Sequence, residues 1–519
     1  MRLNRNLRPW RIWAFIAAVA LWPYAASAGD IAPDRMEAAL SKLEALAEGV
    51  VADGGVPGLA IGVVHDDKVI FLKGFGHREA GKPETVDADT VFQIASLSKP
   101  VSATVVAALV SDGIASWDSK IADLDPAFRL SQPYPTIELT VRDLFAHRSG
   151  LPGTAGDDLE DIGYDRAEIL RRLRFVPPSS SFRAGYSYSN FGLTEGAVAA
   201  AKPTGKPWEE VAEEKLYRPL GMASTSSRHS DFIKQANRAE LHAKINGAWA
   251  AKVQRYPDAQ APAGGVSSTA RDLSQWMRLV LGNGVYDGKT LIAADALDQT
   301  HIPLTPRGKN PVSGGEAFYG LGWNIEFGRH GLIWGHAGAF SVGARSLVML
   351  FPEEKLGIVV IANAFPTGVP EGLSDSFADL VFDGTLGKKD KVKAWNDIYG
   401  SMFGPVIAAA KATYAAPPSP ASPARPASAY AGRYSNDFIG DAVVSGEGDA
   451  LVLKVGPAGA RSYSLKHFDR DLFLTFPDAE MPDRPSAVSF VLGPDGKASA
   501  VTIEFLDGNH LGTLARVGD

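Results

Sequence analysis

The chain has 519 residues, 45% of them hydrophobic and 21% charged, with a formal net charge of -7 and no cysteine. That length exceeds one ordinary domain and points to two or three. The mild acidity gives no reason to expect nucleic acid or an anionic membrane as partner, and the lack of cysteine excludes disulfides, thiolate metal sites, a thiol nucleophile and a lipidated N-terminal cysteine, which leaves any chemistry to hydroxyl, amine, imidazole or carboxylate groups.

Residues 1–28 have the layout of a secretory leader: Arg2, Arg5, Arg8 and Arg11 make a positive start, Ile12 to Leu21 an apolar stretch too short to span a bilayer comfortably, and Ala26-Ser27-Ala28 a small-residue cleavage site. The mature chain is expected to begin near Gly29. Nothing later reads as a membrane-spanning segment, so the product is expected to be soluble and exported, periplasmic or secreted. A helix follows over Arg35 to Glu48, then LAIGVVHDDKVIFLKGFG reads as a β-hairpin about Asp66-Asp67-Lys68. Its strands carry few polar residues, which suits the middle of a sheet.

Next comes VFQIASLSK, ending in the tetrad Ser96-Leu97-Ser98-Lys99 and running into the helical stretch PVSATVVAALVSDG. Val101, Val105, Ala108 and Leu109 recur on a helical period, Pro100 sits in the first turn, and Gly113 is a stop. After Lys99 no charged residue occurs before Asp112, which buries this helix in a core. A Ser and a Lys three apart share one helix face, and the partial positive charge of the helix start favours a neutral amine able to take a proton from Ser96. An ordinary helix cap at Ser96 is the bland alternative.

TVRDLFAHRSGLPG reads as a short helix capped by Thr140 with Asp143 three residues on. His147 within it is expected to brace a loop through backbone, because no nucleophile or carboxylate partner is recognisable nearby. In FRAGYSYSNFGLTEGAVAA, Tyr188-Ser189-Asn190 lies in a turn-rich approach to another apolar helix. A phenol serves as a base only if its pKa falls below its ordinary value of about 10, which an ammonium such as Lys99 would bring about. Asn190 has the amide to bond a substrate or to hold Lys99. APAGGVSSTARDLSQWMRLVLGNG is a Gly-rich turn, a cap at Ser268 or Thr269 and an amphipathic helix. Strand-like runs follow at Leu332 to Gly335, Gly343 to Phe351 and Leu356 to Asn363, an antiparallel set expected to form most of the central sheet with the N-terminal hairpin. His336-Ala337-Gly338 falls at the end of the first run, its small residues allowing close approach of a substrate backbone.

SLSK, YSN and HAG, in this order and spacing, resemble the three motifs of the serine hydrolases related to class C β-lactamases and penicillin-binding proteins, and FAHRSGLPG, PLGM and APAGGVSSTARDL are similar to connecting segments of that superfamily. The resemblance covers roughly residues 35 to 365. It implies an α+β fold, an antiparallel sheet flanked by helices with an all-helical subdomain between the first and second motifs. By motif, it implies Ser96 as the acylated nucleophile, Lys99 as its activating partner, Tyr188 as general base and proton shuttle, Asn190 as a contact to substrate and Lys99, His336 and Gly338 as the third-motif wall, and the backbone N–H groups of Ser96 and Ala339 as oxyanion donors. No cofactor or metal is implied. The third motif has His where β-lactamases and most penicillin-binding proteins have Lys, and no Glu motif like that of class A enzymes is found, which leaves Tyr188 as the deacylation base. A histidine is charged only below about 6.5, so substrates without an obligatory carboxylate rank ahead of β-lactams.

Beyond the hydrolase stretch, residues 29–385, residues 386–414 read as a connecting helix with Val392, Trp395, Ile398, Met402 and Val406 on one face. Residues 415–429, AAPPSPASPARPASA, read as a semi-rigid linker unable to build a core. Residues 430–519 carry short β-rich runs with turns at Gly446-Glu447-Gly448, Pro457-Ala458-Gly459 and Pro494-Asp495-Gly496, and look like the lipocalin-like barrel of some superfamily members. A role in shielding the cleft or in homo-oligomer formation ranks above a ligand of its own. The expectation is a peptidase of D-aminopeptidase or carboxypeptidase type acting on small or unusual peptides, with D-residues favoured. β-Lactamase or short-chain esterase activity is second, and a penicillin-binding receptor that acylates without turnover is the reading from another class.

Overall fold

The computed structural model describes residues 31–447, 450–477 and 484–518. The leader-like residues 1–28 and the turn position Gly448 lie outside the described residues. Among the described residues no helix is long and apolar enough to cross a membrane.

The centre is an eight-stranded antiparallel sheet. In chain order its strands are β1 (Gly58–His65), β2 (Lys68–Gly76), β3 (Thr305–Lys309), β4 (Glu316–Tyr319), β5 (Asn324–Gly328), β6 (Gly331–Phe340), β7 (Ala344–Phe351) and β8 (Leu356–Ala362), arranged β2-β1-β8-β7-β6-β5-β4-β3. The hairpin therefore sits at one end, with β1 inside and β2 at the edge. The apolar composition of β2 comes from helical cover rather than from a central position: Ile70 and Phe71 pack on the core beneath α1 (Pro33–Ala52). The 336–338 tripeptide lies mid-strand, because β6 continues to Phe340, zipped to β7 through Ala339↔Arg345.

Both faces of the sheet are covered, which explains strands with almost no alternation. Leu59, Ile61 and Val63 of β1 share a core with Leu43 and Ala47 of α1 and with Leu373 and Phe377 of a C-terminal helix, Val369–Asp383. Ala60 and Val64, with Val348 and Val359, belong to the opposite core, which holds α2 (Ser98–Ser111) and the amphipathic helix Ala270–Leu281, capped by Thr269. α2 is buried almost all round, as its lack of charge after Lys99 requires. Short helices, including one at Val141–Phe145 with the Thr140 capping box in place, build the subdomain between Ser96 and Tyr188. Only part of the expected face of the long helix Lys391–Thr413 packs back: Trp395 Nε1 donates to Asp375 Oδ2 at 2.9 Å, whereas Met402 is exposed. The Val406 side chain lies outside the description.

The C-terminal domain is a closed barrel of strands running from Gly432–Asn436 to Thr513–Arg516. The preceding Pro/Ala segment lies along it: Ser422 N–H donates to Asp469 Oδ1 at 2.7 Å and its carbonyl accepts from Arg470 N–H at 3.0 Å. The barrel is joined to the helical subdomain through one continuous apolar core that includes Leu159, Ile162, Phe438, Ile439 and Val455. Tyr164 Oη donates to Ile439 O at 2.9 Å, Arg172 Nη1 to Phe438 O at 2.6 Å and Arg461 Nε to Asp161 O at 2.9 Å. At the closest point, Gly456 has φ +83, and a Cβ there would lie 2.0 Å from Ile162 O. Gly456→Ala is expected to cost about 1–3 kcal/mol, read as a lower melting temperature by calorimetry. Gly508→Ala, whose Cβ would meet open space, should leave the melting temperature unchanged.

Candidate active site

The chain enters the site through the two-residue strand Phe92–Gln93, paired with Ser267–Ser268. A single 3-10 turn, Ala95–Leu97, then carries it into α2. Ala95 adopts φ +48, a left-handed conformation that costs a non-glycine residue about 1 kcal/mol and persists only where the surroundings over-determine it. They do so here: Ser98 Oγ donates to Ala95 O at 2.6 Å and accepts from Val266 N–H at 2.9 Å, while Ser346 Oγ donates to Ile94 O at 2.7 Å. The second serine of the tetrad is thus structural, and the first is the one displayed. The third motif presses against the same turn, since a Cβ on Gly338 would lie 2.2 Å from Ile94 O and 2.9 Å from Leu97 N. Only glycine lets β6, and with it the backbone of Ala339, run this close to Ser96.

Lys99 is completely buried. Its Nζ donates to Asn190 Oδ1 at 2.7 Å, to Ala263 O at 2.9 Å and to Ser96 Oγ at 3.2 Å. Two of these partners are carbonyl-type oxygens that only accept. A neutral amine would spend its two N–H bonds on them and turn its lone pair toward the Ser96 hydroxyl. Burial brings the amine down to about 7, with the carboxylate of Asp157 pulling weakly the other way.

Asn190 is held in the orientation this requires: its Nδ2 donates to Asp157 Oδ2 at 3.0 Å, which leaves Oδ1 for Lys99. Lys99 Nζ lies 4.5 Å from the Tyr188 ring centroid, and Ser96 is near enough to favour ionisation of the phenol. Burial pushes the Tyr188 phenol well above its ordinary value. The expectation that Lys99 depresses it is therefore corrected: desolvation of the phenolate is the largest influence on this group and moves it up, not down. His147 braces this segment as expected. Its Nδ1 accepts from Ser189 N–H at 3.1 Å, its carbonyl accepts from Ser187 N–H at 2.8 Å, and its ring lies against Tyr188 with centroids 4.5 Å apart.

His336 lies on β6, buried, with its Nδ1 2.7 Å from its neighbour's carbonyl, Ala337 O. A carbonyl only accepts, so Nδ1 carries the proton and Nε2 accepts from Tyr319 Oη at 3.0 Å. Burial lowers the ring to about 3. His336 is therefore neutral throughout the ordinary pH range, a stronger departure from a cationic third motif than free histidine chemistry implies.

The structure gathers Ser96, Lys99, Tyr188, Asn190, His336, Gly338 and Ala339 around one cleft. Sequence reasoning passed over Asp157 behind Asn190, the carbonyl of Ala263 on Lys99, and Tyr319 behind His336. The acidic run at Asp157-Asp158 reads as a solvated face in one dimension, and a carbonyl carries no side-chain signal at all.

Residues 43–381 match the family model described as "Beta-lactamase", and residues 416–512 match a domain of unknown function, DUF3471. The "Unguisins hydrolase ungD'" of Aspergillus campestris (strain IBT 28561) is 26% identical over 481 residues, covering 86% of this chain and 86% of that protein. The D-alanyl-D-alanine-carboxypeptidase/endopeptidase AmpH of Escherichia coli (strain K12) is 26% identical over 351 residues, 64% of this chain and 86% of that protein. Among solved structures, the octameric penicillin-binding protein homologue from Pyrococcus abyssi superposes with a TM-score of 0.56 at 19% identity, covering 92% of this chain and 99% of that one. SurE superposes with a TM-score of 0.55 at 21% identity, covering 93% and 99%. These two show a shared fold.

Asp157 supports the charged form of Lys99, so Asp157→Asn is expected to make the amine easier to deprotonate. The acid limb of Ser96 labelling by a fluorophosphonate should move to lower pH by about half a unit, worth ~0.7 kcal/mol. An unmoved or upward-shifted limb would show that Asp157 has no electrostatic hold on the amine.

Proposed function

The chain belongs to the beta-lactamase family and is a serine hydrolase, and we propose that it forms an acyl-enzyme at Ser96 and cleaves amide bonds of small or unusual peptides. The observation that carries this reading is the position of Lys99: a buried amine held at about 7, tied to two fixed acceptors and 3.2 Å from the hydroxyl. A general base works best when its pKa lies near the working pH.

In the proposed cycle Ser96 Oγ attacks the substrate carbonyl carbon as its proton passes to Lys99 Nζ. The carbonyl oxygen becomes an oxyanion between the N–H groups of Ser96 and Ala339, where preorganised donors act with little reorganisation. Collapse breaks the C–N bond, and the leaving amine takes the proton from Lys99 by way of the Tyr188 hydroxyl, leaving an ester on Ser96. Water then attacks the ester carbonyl carbon as its proton passes along the same Tyr188 to Lys99 path, and collapse breaks the bond to Ser96 Oγ, which takes the proton back from Lys99 as the acid leaves. Tyr188 acts here as a neutral relay, consistent with a phenol held above its ordinary range. Asn190, His336 and Gly338 form the wall along which the substrate backbone lies. The leader-like residues 1–28 support action outside the cytoplasm, in the periplasm or the medium, on residues 29–385 as the hydrolase domain.

Ser96→Ala should abolish fluorophosphonate labelling and turnover of aminoacyl amides, and full activity in this variant would overturn the mechanism. Lys99→Ala should lower turnover by about two orders of magnitude or more. Because the neutral amine is the active form, the wild-type acylation rate should rise with pH through about 7 and level off above it. In Tyr188→Phe, kcat should fall far more than the melting temperature shifts. Activity within a few-fold of wild type would show that another group carries the proton.

A further inference from the structure

Tyr186, Tyr188, Tyr319 and His336 line a groove of about 670 Å³ that also holds Arg307 on the edge strand β3. The groove contains other cations, but carboxylates already answer them. Lys309 pairs with Glu316 at 3.5 Å, Lys391 lies 3.7 Å from Asp379, Arg345 is paired to Glu371, and Arg329 to Asp379 and Asp383. Lys99 is fully buried behind Ser96. Arg307 differs from all of these. Among the described residues it forms no ion pair, and its hydrogen-bond partner is the neutral amide oxygen of Asn324.

Two contacts hold this guanidinium at the rim: the Asn324 bond and the face of Tyr186, whose ring centroid is 5.2 Å from the guanidinium carbon. A planar cation fixed by stacking and one bond keeps donors for a bidentate carboxylate at little further cost in side-chain freedom. Its charge already reaches the reacting groups, since it disfavours protonation of His336 and favours ionisation of Tyr188. His336 itself offers no positive charge, being tied up as a neutral ring between Ala337 O and Tyr319.

We propose that Arg307 is the anion subsite of this cleft, so that preferred substrates carry a free carboxylate on the side of the β3–β4 hairpin, held by Arg307 rather than by the third motif. This rests on the hydrolase reading for what happens at Ser96, and it replaces the preference for substrates without a carboxylate that the third-motif histidine alone suggests.

The test uses full-length Ser96→Ala protein, which does not consume ligand under that reading, and calorimetric titration with one N-acetyl dipeptide as free acid and as C-terminal carboxamide. The acid is expected to bind at least about tenfold tighter than the carboxamide at low salt, with the margin shrinking as salt rises. Adding Arg307→Gln should bring the acid down to the level of the carboxamide and leave the carboxamide unchanged, whereas Arg307→Lys should keep part of the margin. The proposal is overturned if acid and carboxamide behave alike in the Ser96→Ala protein, undetectable binding of both included, or if the margin survives Arg307→Gln. Failure of the hydrolase reading would appear separately, as labelling or turnover persisting in Ser96→Ala, and would leave the binding comparison intact.

Discussion

Taking the Lys99 amine out of water is the constraint on which the site depends. An ammonium buried without compensation is costly, and a protein relieves that cost by lowering the pKa or by supplying acceptors. Both occur here: the amine sits at about 7, and Asn190 Oδ1 and Ala263 O accept from it. Each acceptor recruits a separate part of the chain. Asn190 must be oriented by Asp157, and Ala263 lies in a turn beside Pro262, whose carbonyl accepts from Ser102 of α2 at 2.7 Å. The positively inclined start of α2, the dry core beneath it and the two acceptors thus act together on one proton.

The same dependence reaches the C-terminal barrel. The short helix Asp157–Asp161 presents Asp157 to Asn190 at one end, and at the other its last carbonyl, Asp161 O, accepts from Arg461 of the barrel. Ile162, just beyond, shares the core that joins the two domains. The Pro/Ala segment that reads as a semi-rigid linker is laid along the barrel wall by hydrogen bonds from its backbone at Ser422, and the barrel buttresses the helix that steadies the Lys99 partner.

Burial also decides how charge is distributed in the cleft. It silences the third-motif histidine, holds Tyr188 as a phenol, and leaves the guanidinium at the rim as the cation that no carboxylate of the described residues answers. Buried groups move toward neutrality because desolvation penalises the charged form, while an exposed arginine keeps its charge. Recognition of charge is thereby separated from the dry region where the proton moves.

What the sequence by itself determined is what depends on neighbours a few residues apart. Ser96 and Lys99 meet because residues three apart stack one above the other where the 3-10 turn runs into α2, Thr140 caps because Asp143 follows at the right distance, and the Asp66-Asp67 turn closes a hairpin because its flanks are β-forming. The family likeness of SLSK, YSN and HAG extended that legibility to the α+β fold and to the residues that meet in the cleft. Tertiary structure decided the rest. β2 became an edge strand, the barrel docked on the helical subdomain, and Asp157, Ala263 and Tyr319 entered the site from separate elements. The protonation states followed the same division: a neighbouring ammonium predicted a depressed tyrosine and the free-residue value a histidine that titrates near 6.5, whereas packing raised the first and lowered the second. Desolvation is a property of everything that surrounds a group, and those surroundings exist only once distant segments have packed together.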